Sequence, residues 1–330
     1  MAGPVWHVSV KQARSLKTFS TMLSTHRFMA AKLAMEPAGG PGVTTQSNGV
    51  DAHDTGALVA LRRIMPRDEL FALIAILACA NGLVARVMHT VSEMGWADAA
   101  LVTFGISAIV LISCFIGVSE LLRDKTQAIQ SADLAVAIGL LILIIVPIAQ
   151  LSWVALTGLS LYILVLTDNQ PSRRRGAIIL LATAVPMLWS RILFNLFANL
   201  LLEIDASLVG WLLGTNRVGN MVQFVDGSGY LVVFPACSSI ANMSLAFLCW
   251  ITISVSVRHK WSARDLLWGL LACISTVTVN VVRMSLMALS PAHFEAIHGP
   301  WGETIVSLIM LSLAIGISLL GVRRELVART

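Results

Sequence analysis

Apolar residues run along this chain in long blocks, with neither strict alternation nor narrow stripes. Eight stretches carry almost no charge: Leu70–Val91, Ala99–Ser119, Leu134–Gln150, Leu151–Thr167, Gly176–Leu202, Ser238–Val257, Leu266–Leu289 and Glu303–Gly321. About 20 apolar residues in helical form cross a hydrocarbon layer ~30 Å thick, so each block predicts a spanning helix. The third and fourth blocks are nearly continuous. Together they are too long for one helix, and Pro147 with Gln150 and Ser152 predicts a tight hairpin between two. Period-two alternation is missing, which excludes a β-barrel. The pattern predicts an all-α polytopic membrane protein with about eight transmembrane helices.

Composition agrees. Apolar residues make up 57% of the chain and charged residues 12%, with a mean hydropathy of +0.81; a soluble domain carries about 25% charged residues. The exception is the stretch 1–66, which mixes Lys11, Arg14, Lys17, Arg27 and Lys32 with a Gly-, Pro- and Ser-rich run after Pro37. It has basic residues but no apolar core followed by a small-residue cleavage site. It therefore reads as a disordered cytoplasmic tail and not as a signal peptide, with Met29 and Met35 as alternative starts. Residues 67–325 form the multi-span domain and 326–330 a short cytoplasmic C-terminal tail.

The net charge of +5 would suggest nucleic acid in a soluble protein, but here the bases fall in short loops between apolar spans. Of 23 Lys and Arg, 19 lie in the N-terminal stretch through Arg67, in alternate loops (Arg123 and Lys125; Arg173, Arg174 and Arg175; Arg258, Lys260 and Arg264) and in the C-terminal tail. The opposite set of loops holds only Arg217, while Arg86, Arg191 and Arg283 fall inside spans. The positive-inside bias then predicts both termini in the cytoplasm (N-in/C-in) and excludes nucleic acid as a partner. In that orientation Cys237, at the start of the sixth span, lies at the outer face. Arg283 lies about 25 Å up the seventh helix, and His298 lies in the loop that follows.

Three reactive residue types on one face are the raw material of thiol-based acyl transfer. Cys79, Cys114, Cys249 and Cys273 fall inside spans, where cysteine is usually an apolar packing residue. Cys237 alone reaches the outer surface, and a helix start there favours the thiolate. Arg283 inside a span either faces a polar cavity, with Asn280 on the same helical face, or snorkels to the interface. His298, in a turn-rich Ile-His-Gly-Pro-Trp-Gly loop, is either a solvated residue or the general base opposite the thiol. His293 is a rival that spacing does not separate from it. Arg191, Asn195 and Asn199 at i, i+4 and i+8 form a polar stripe that either lines a substrate groove or bonds helices together. Arg86 with His89 is a further polar pair near the end of the first span.

Phe-Pro-Ala-Cys237-Ser-Ser-Ile at a span start, Asn280-Val-Val-Arg283 in the next span and His298-Gly-Pro-Trp-Gly before the last resemble the exosortase/archaeosortase family. The stretch through Gly219-Asn220 and Gly227–Val233 resembles the extracytoplasmic segment leading to that family's cysteine. The resemblance covers roughly residues 176–321. It implies a polytopic bacterial inner-membrane enzyme, sortase-like in chemistry though not in fold. Its substrates would be exported proteins with a C-terminal sorting signal: a short PEP-type motif, a transmembrane helix and a basic cluster. It further implies Cys237 as nucleophile, Arg283 as charge stabiliser and His298 as acid/base, with release to an amine or to water. The family commonly shows Glu-Ala-Cys-Ser-Gly, whereas this chain has Pro235 and Ser239 at the flanking positions, which bears on how closely a substrate backbone approaches.

Two other function classes fit the residues alone. A transporter or lipid- or glycan-handling protein would use Arg86, Arg191 and Arg283 to bind anions, and a non-enzymatic scaffold would need none of them. No cysteine pair has C-x-x-C spacing and no Gly-rich phosphate loop occurs, so neither a metal nor a cofactor is expected. The expected partners are the C-terminal sorting signal and membrane lipid.

Overall fold

The computed structural model describes residues 65–101, 103–123, 127–166, 170–259 and 262–323, so the expected C-terminal tail and all of the N-terminal one but Met65 and Pro66 lie outside the described residues. Among the described residues ten α-helices carry the fold: α1 (Arg67–Leu101), α2 (Ala108–Leu121), α3 (Ser131–Ile145), α4 (Ala149–Val165), α5 (Pro171–Ala184), α6 (Ser190–Leu213), α7 (Ser239–Ser256), α8 (Ala263–Met287), α9 (Pro291–His298) and α10 (Pro300–Gly321). Among the described residues, five helical stretches are long and apolar enough to cross a membrane: Arg67–Ala100, Pro171–Leu213, Ser239–Ser256, Arg264–Met287 and Trp301–Gly321. Large apolar side chains such as Phe115, Ile145, Val165 and Leu266 point outward. A bundle with such an exterior is built for lipid.

Several boundaries differ from the sequence reading. The first span continues to Leu101, kinked at Gly95, so the second helix starts at Ala108 and has only 14 residues. α3 and α4, with 15 and 17 residues, are likewise shorter than a full crossing. The expected break at Pro147 is present. There Asn81 Nδ2 donates to the Ile144 carbonyl (2.7 Å) and to Ser152 Oγ (2.9 Å), tying the hairpin to α1. α5 and α6 form one 43-residue helical stretch, longer than the expected fifth span. Pro186 cannot continue the regular ladder, and a π-turn over Val185–Trp189 absorbs the defect while Ser190 Oγ donates to the Pro186 carbonyl (3.0 Å).

One end of the bundle is closed by charge. Arg173 clamps Asp68 with Nε at 2.6 Å and Nη2 at 3.1 Å, and Arg67 donates to Asp133 at 2.7 Å. Gln127 Oε1 accepts from both arginines at 3.2 Å, Tyr162 donates to Asp133 at 2.7 Å, and the Phe71 ring lies under both guanidinium groups. All four charges are no more than 2% exposed. The first turns of α1, α3 and α5 and the last turn of α4 therefore share one plane. Arg175 adds a shallower pair with Glu120 at the end of α2. Asp205, far along the Pro171–Leu213 stretch, lies roughly 45 Å of helix from Arg173, at the opposite end.

Between the ends, close crossings replace the drive that water would give. A Cβ added to Gly176 would sit 2.8 Å from the Gly117 carbonyl, so α2 and α5 approach with backbones nearly touching. A large apolar core around Phe71, Leu156, Leu180 and Leu248 fills the centre, and a smaller one lies under Cys237. Breaking a buried ion pair from one side strands the other charge. Arg173→Met is therefore expected to cost about 3–5 kcal/mol, and adding Asp68→Asn should recover part of that loss. Thermal unfolding in detergent measures both.

Candidate active site

Cys237 is delivered by a feature that the apolar pattern did not predict, a three-stranded antiparallel sheet of β1 (Arg217–Val218), β2 (Met221–Gln223) and β3 (Tyr230–Val232). Val222 pairs with Leu231, and both are buried. Asn220 fixes the strand exit twice, through its carbonyl to the Val233 N–H (2.9 Å) and through Nδ2 to the Val233 carbonyl (3.0 Å). Pro235 then opens a 3₁₀ turn, Pro235–Cys237, closed by the Cys237 N–H donating to the Phe234 carbonyl at 2.9 Å. Ser238 is the N-cap of α7.

Two other helices grip this turn. Asp205 of α6 accepts the Ser239 N–H at 3.0 Å, satisfying one of the orphan donors at the start of α7. Asn280 of α8, 1% exposed, donates through Nδ2 to the Cys237 carbonyl (2.7 Å) and to Ser239 Oγ (3.0 Å). Ser239 thus supplies an acceptor that a glycine would lack. Arg283 lies one turn beyond Asn280. Its buried Nε and the buried Asn280 Oδ1 have no hydrogen-bond partner among the described residues.

The expected surface thiol is buried: Cys237 is 8% exposed and packs in the apolar cluster with Val233, Met284 and Met287. It sits one residue ahead of the N-cap, at the helix start as expected, but its N–H is already used. Burial pushes the thiol above its usual range. The Arg283 charge and the hydrogen bond to Phe234 pull it back, while the Glu303 and Asp205 charges push it up. The ground state is therefore a protonated thiol beside a cation, not a standing thiolate.

Cys237, Asn280 and Arg283 come together; the other expected residues do not join them directly. His298 is the last residue of α9, a helix where a loop was expected. Ser290 caps α9 and Pro291 opens it, signals readable in the sequence. The exposed His298 ring stacks on Phe294 at 5.0 Å, and Phe294 packs against the apolar cluster of Cys237. No hydrogen bond joins the imidazole to the thiol among the described residues. His293 Nδ1 is engaged with Ser290 Oγ at 2.8 Å. Arg191 lines a separate cavity with Arg86, and Asn195 and Asn199 are exposed; a break at Phe197 interrupts their expected stripe.

Asp205 and Glu303 were not singled out from the sequence. For Asp205 the signal was present, an acid inside an apolar helix, but ending the fifth span at Leu202 left it in a loop. Among the described residues no three His, Cys, Asp or Glu side chains gather as a metal set.

In a chain whose only cysteine is Cys237, the alkylation rate with iodoacetamide is expected to rise with pH around a midpoint above that of a free thiol. Arg283→Gln removes the opposing positive charge, moves the midpoint further up and slows labelling at pH 8 several-fold. Glu303→Gln moves it down and speeds labelling. No protein-family model, no curated protein and no solved structure matches this chain.

Proposed function

We propose that this protein is an exosortase-like membrane cysteine peptidase or transpeptidase. It crosses the bacterial inner membrane eight times with both termini inside, and acts at the extracytoplasmic face on proteins carrying a C-terminal sorting signal. The observation that carries the reading is the Asn280 tether: it bonds the helix bearing Arg283 to the backbone of Cys237 and holds the guanidinium within electrostatic reach of the thiol. Arg123, Arg173, Arg174, Arg175, Arg258, Arg264 and Arg323 belong to helix ends and loops away from the site, and Arg217 to the site's own sheet, which supports an outward-facing site.

In this mechanism His298 takes the Cys237 proton, and the thiolate attacks the scissile carbonyl carbon while the π electrons move to oxygen. Arg283 stabilises that oxyanion. Collapse breaks the C–N bond, and the leaving amine takes the proton from the imidazolium. An acceptor amine or water then attacks the thioester and restores the thiol. His298 is favoured over His293 because its ring is free of hydrogen bonds among the described residues and stacks on the site's own apolar cluster. Bringing the imidazole to the thiol is left to substrate, as is common where catalytic contacts form only in the complex.

The test co-expresses the protein with an exported reporter ending in such a signal. The wild type is expected to shorten the reporter, and Cys237→Ala and Cys237→Ser to leave it full length. Equal shortening by both variants would remove the proposal.

A further inference from the structure

Arg86 and Arg191 take no part in the thiol site, yet the fold brings them together. α1 and α5 begin side by side at the Asp68–Arg173 ion pair. Arg86 follows Asp68, and Arg191 follows Arg173, by the same length of chain, about five turns or roughly 27 Å. The two guanidinium groups therefore reach one height and sense each other's charge. Both line one cavity of about 180 Å³ between α1, the turn before α2, the π-turn and α7. That is below the roughly 300–1,000 Å³ of pockets that enclose drug-sized ligands. It suits a small headgroup.

Three features of the cavity favour an anion. Its lining contains two arginines and no carboxylate, and neither arginine has an ion-pair partner among the described residues. The N-terminus of the 14-residue α2 opens onto it at Ser107, whose hydroxyl makes no cap bond. The turn at its edge is strained: Thr103, Phe104 and Gly105 have φ of 52°, 54° and 66°. Thr90 holds that turn by donating to the Phe104 carbonyl at 3.1 Å. A Cβ on Gly105 would come within 2.9 Å of Thr90 Oγ1 and 3.8 Å of Arg86 Nε, so the backbone is drawn up to the cation.

The surroundings identify the source of the anion. Arg86 and Arg191 are themselves exposed, and so are their neighbours Val84, Met88, Ile192 and Leu193. These lie in helices apolar enough to cross a membrane. A bare arginine facing hydrocarbon is costly unless something of opposite charge arrives with the lipid. Roughly 27 Å above the buried ion layer is also close to the ~30 Å hydrocarbon thickness, near the plane of phospholipid phosphates. We propose that Arg86, Arg191 and the α2 N-terminus form a binding site for the phosphate of an anionic phospholipid, in the leaflet on the Cys237 side. Two positive charges would repel the ammonium of a zwitterionic headgroup, so the site discriminates by net charge. This inference does not rest on the peptidase proposal.

Native mass spectrometry of the full chain in non-ionic detergent, titrated with dioleoylphosphatidylglycerol, tests it. The wild type is expected to retain one lipid that Arg86→Gln/Arg191→Gln loses by about tenfold to a hundredfold in affinity, the range of charge-assisted hydrogen bonds. Arg86→Lys/Arg191→Lys, which keeps both charges, should recover much of the binding, and dioleoylphosphatidylcholine should bind more weakly than the glycerol lipid. Should the double Gln variant fail to elute as folded protein, each single Gln variant is expected to show a partial loss. Equal occupancy in wild type and all Gln variants, or equal binding of the two lipids, would overturn the site. Displacement of the lipid by millimolar inorganic phosphate would reassign it to a soluble anion, against the proposal.

Discussion

Four charges buried away from water hold the closed end of this bundle. Asp68, Arg173, Arg67 and Asp133 are costly to bury, and the cost is met only because the pairing is bidentate or completed by Gln127 and Tyr162. The arrangement leaves little freedom. It sets the first turns of α1, α3 and α5 in one plane, and helix geometry then fixes the height of every residue further along them. The matched positions of Arg86 and Arg191 follow from it. So does the reach of the long helix that carries Asp205 to the opposite end.

At that opposite end the same economy applies to a single thiol. The turn holding Cys237 has its backbone groups bound from three directions: its own 3₁₀ turn, Asn280 and Asp205. A buried sulfur in such a mount stays protonated, and the nearby charges are balanced, with Arg283 on one side and Glu303 and Asp205 on the other. A buried, neutral thiol is less open to indiscriminate oxidation than an exposed thiolate.

Polar groups in this fold divide by what accompanies them. The closed end pairs its charges internally, and the Cys237 turn satisfies its backbone while leaving Asn280 Oδ1 and Arg283 Nε without partners. The Arg86–Arg191 cavity leaves whole cations without a counter-charge among the described residues. A buried polar atom without a partner calls for an explanation, and both the Asn280–Arg283 pair and the Arg86–Arg191 pair lie away from the buried ion layer.

The apolar blocks determined the helices, because a chain so poor in charge can satisfy its backbone in lipid only by internal hydrogen bonds. Pro147 marked the hairpin, Ser290-Pro291 carried the start of α9, and the three-residue spacing put Asn280 and Arg283 on one face. What sequence alone left open was settled by contacts between residues far apart in the chain. Arg67 and Arg173 count as ordinary loop charges until Asp133 and Asp68 are seen beside them. Cys237 reads as exposed until the sheet and α8 close over it. Asp205 and Glu303 acquire meaning only through interactions with residues more than 30 positions away. Periodicity reports how one segment meets its solvent, whereas burial and charge pairing depend on which segments meet each other, and only the tertiary structure decides that.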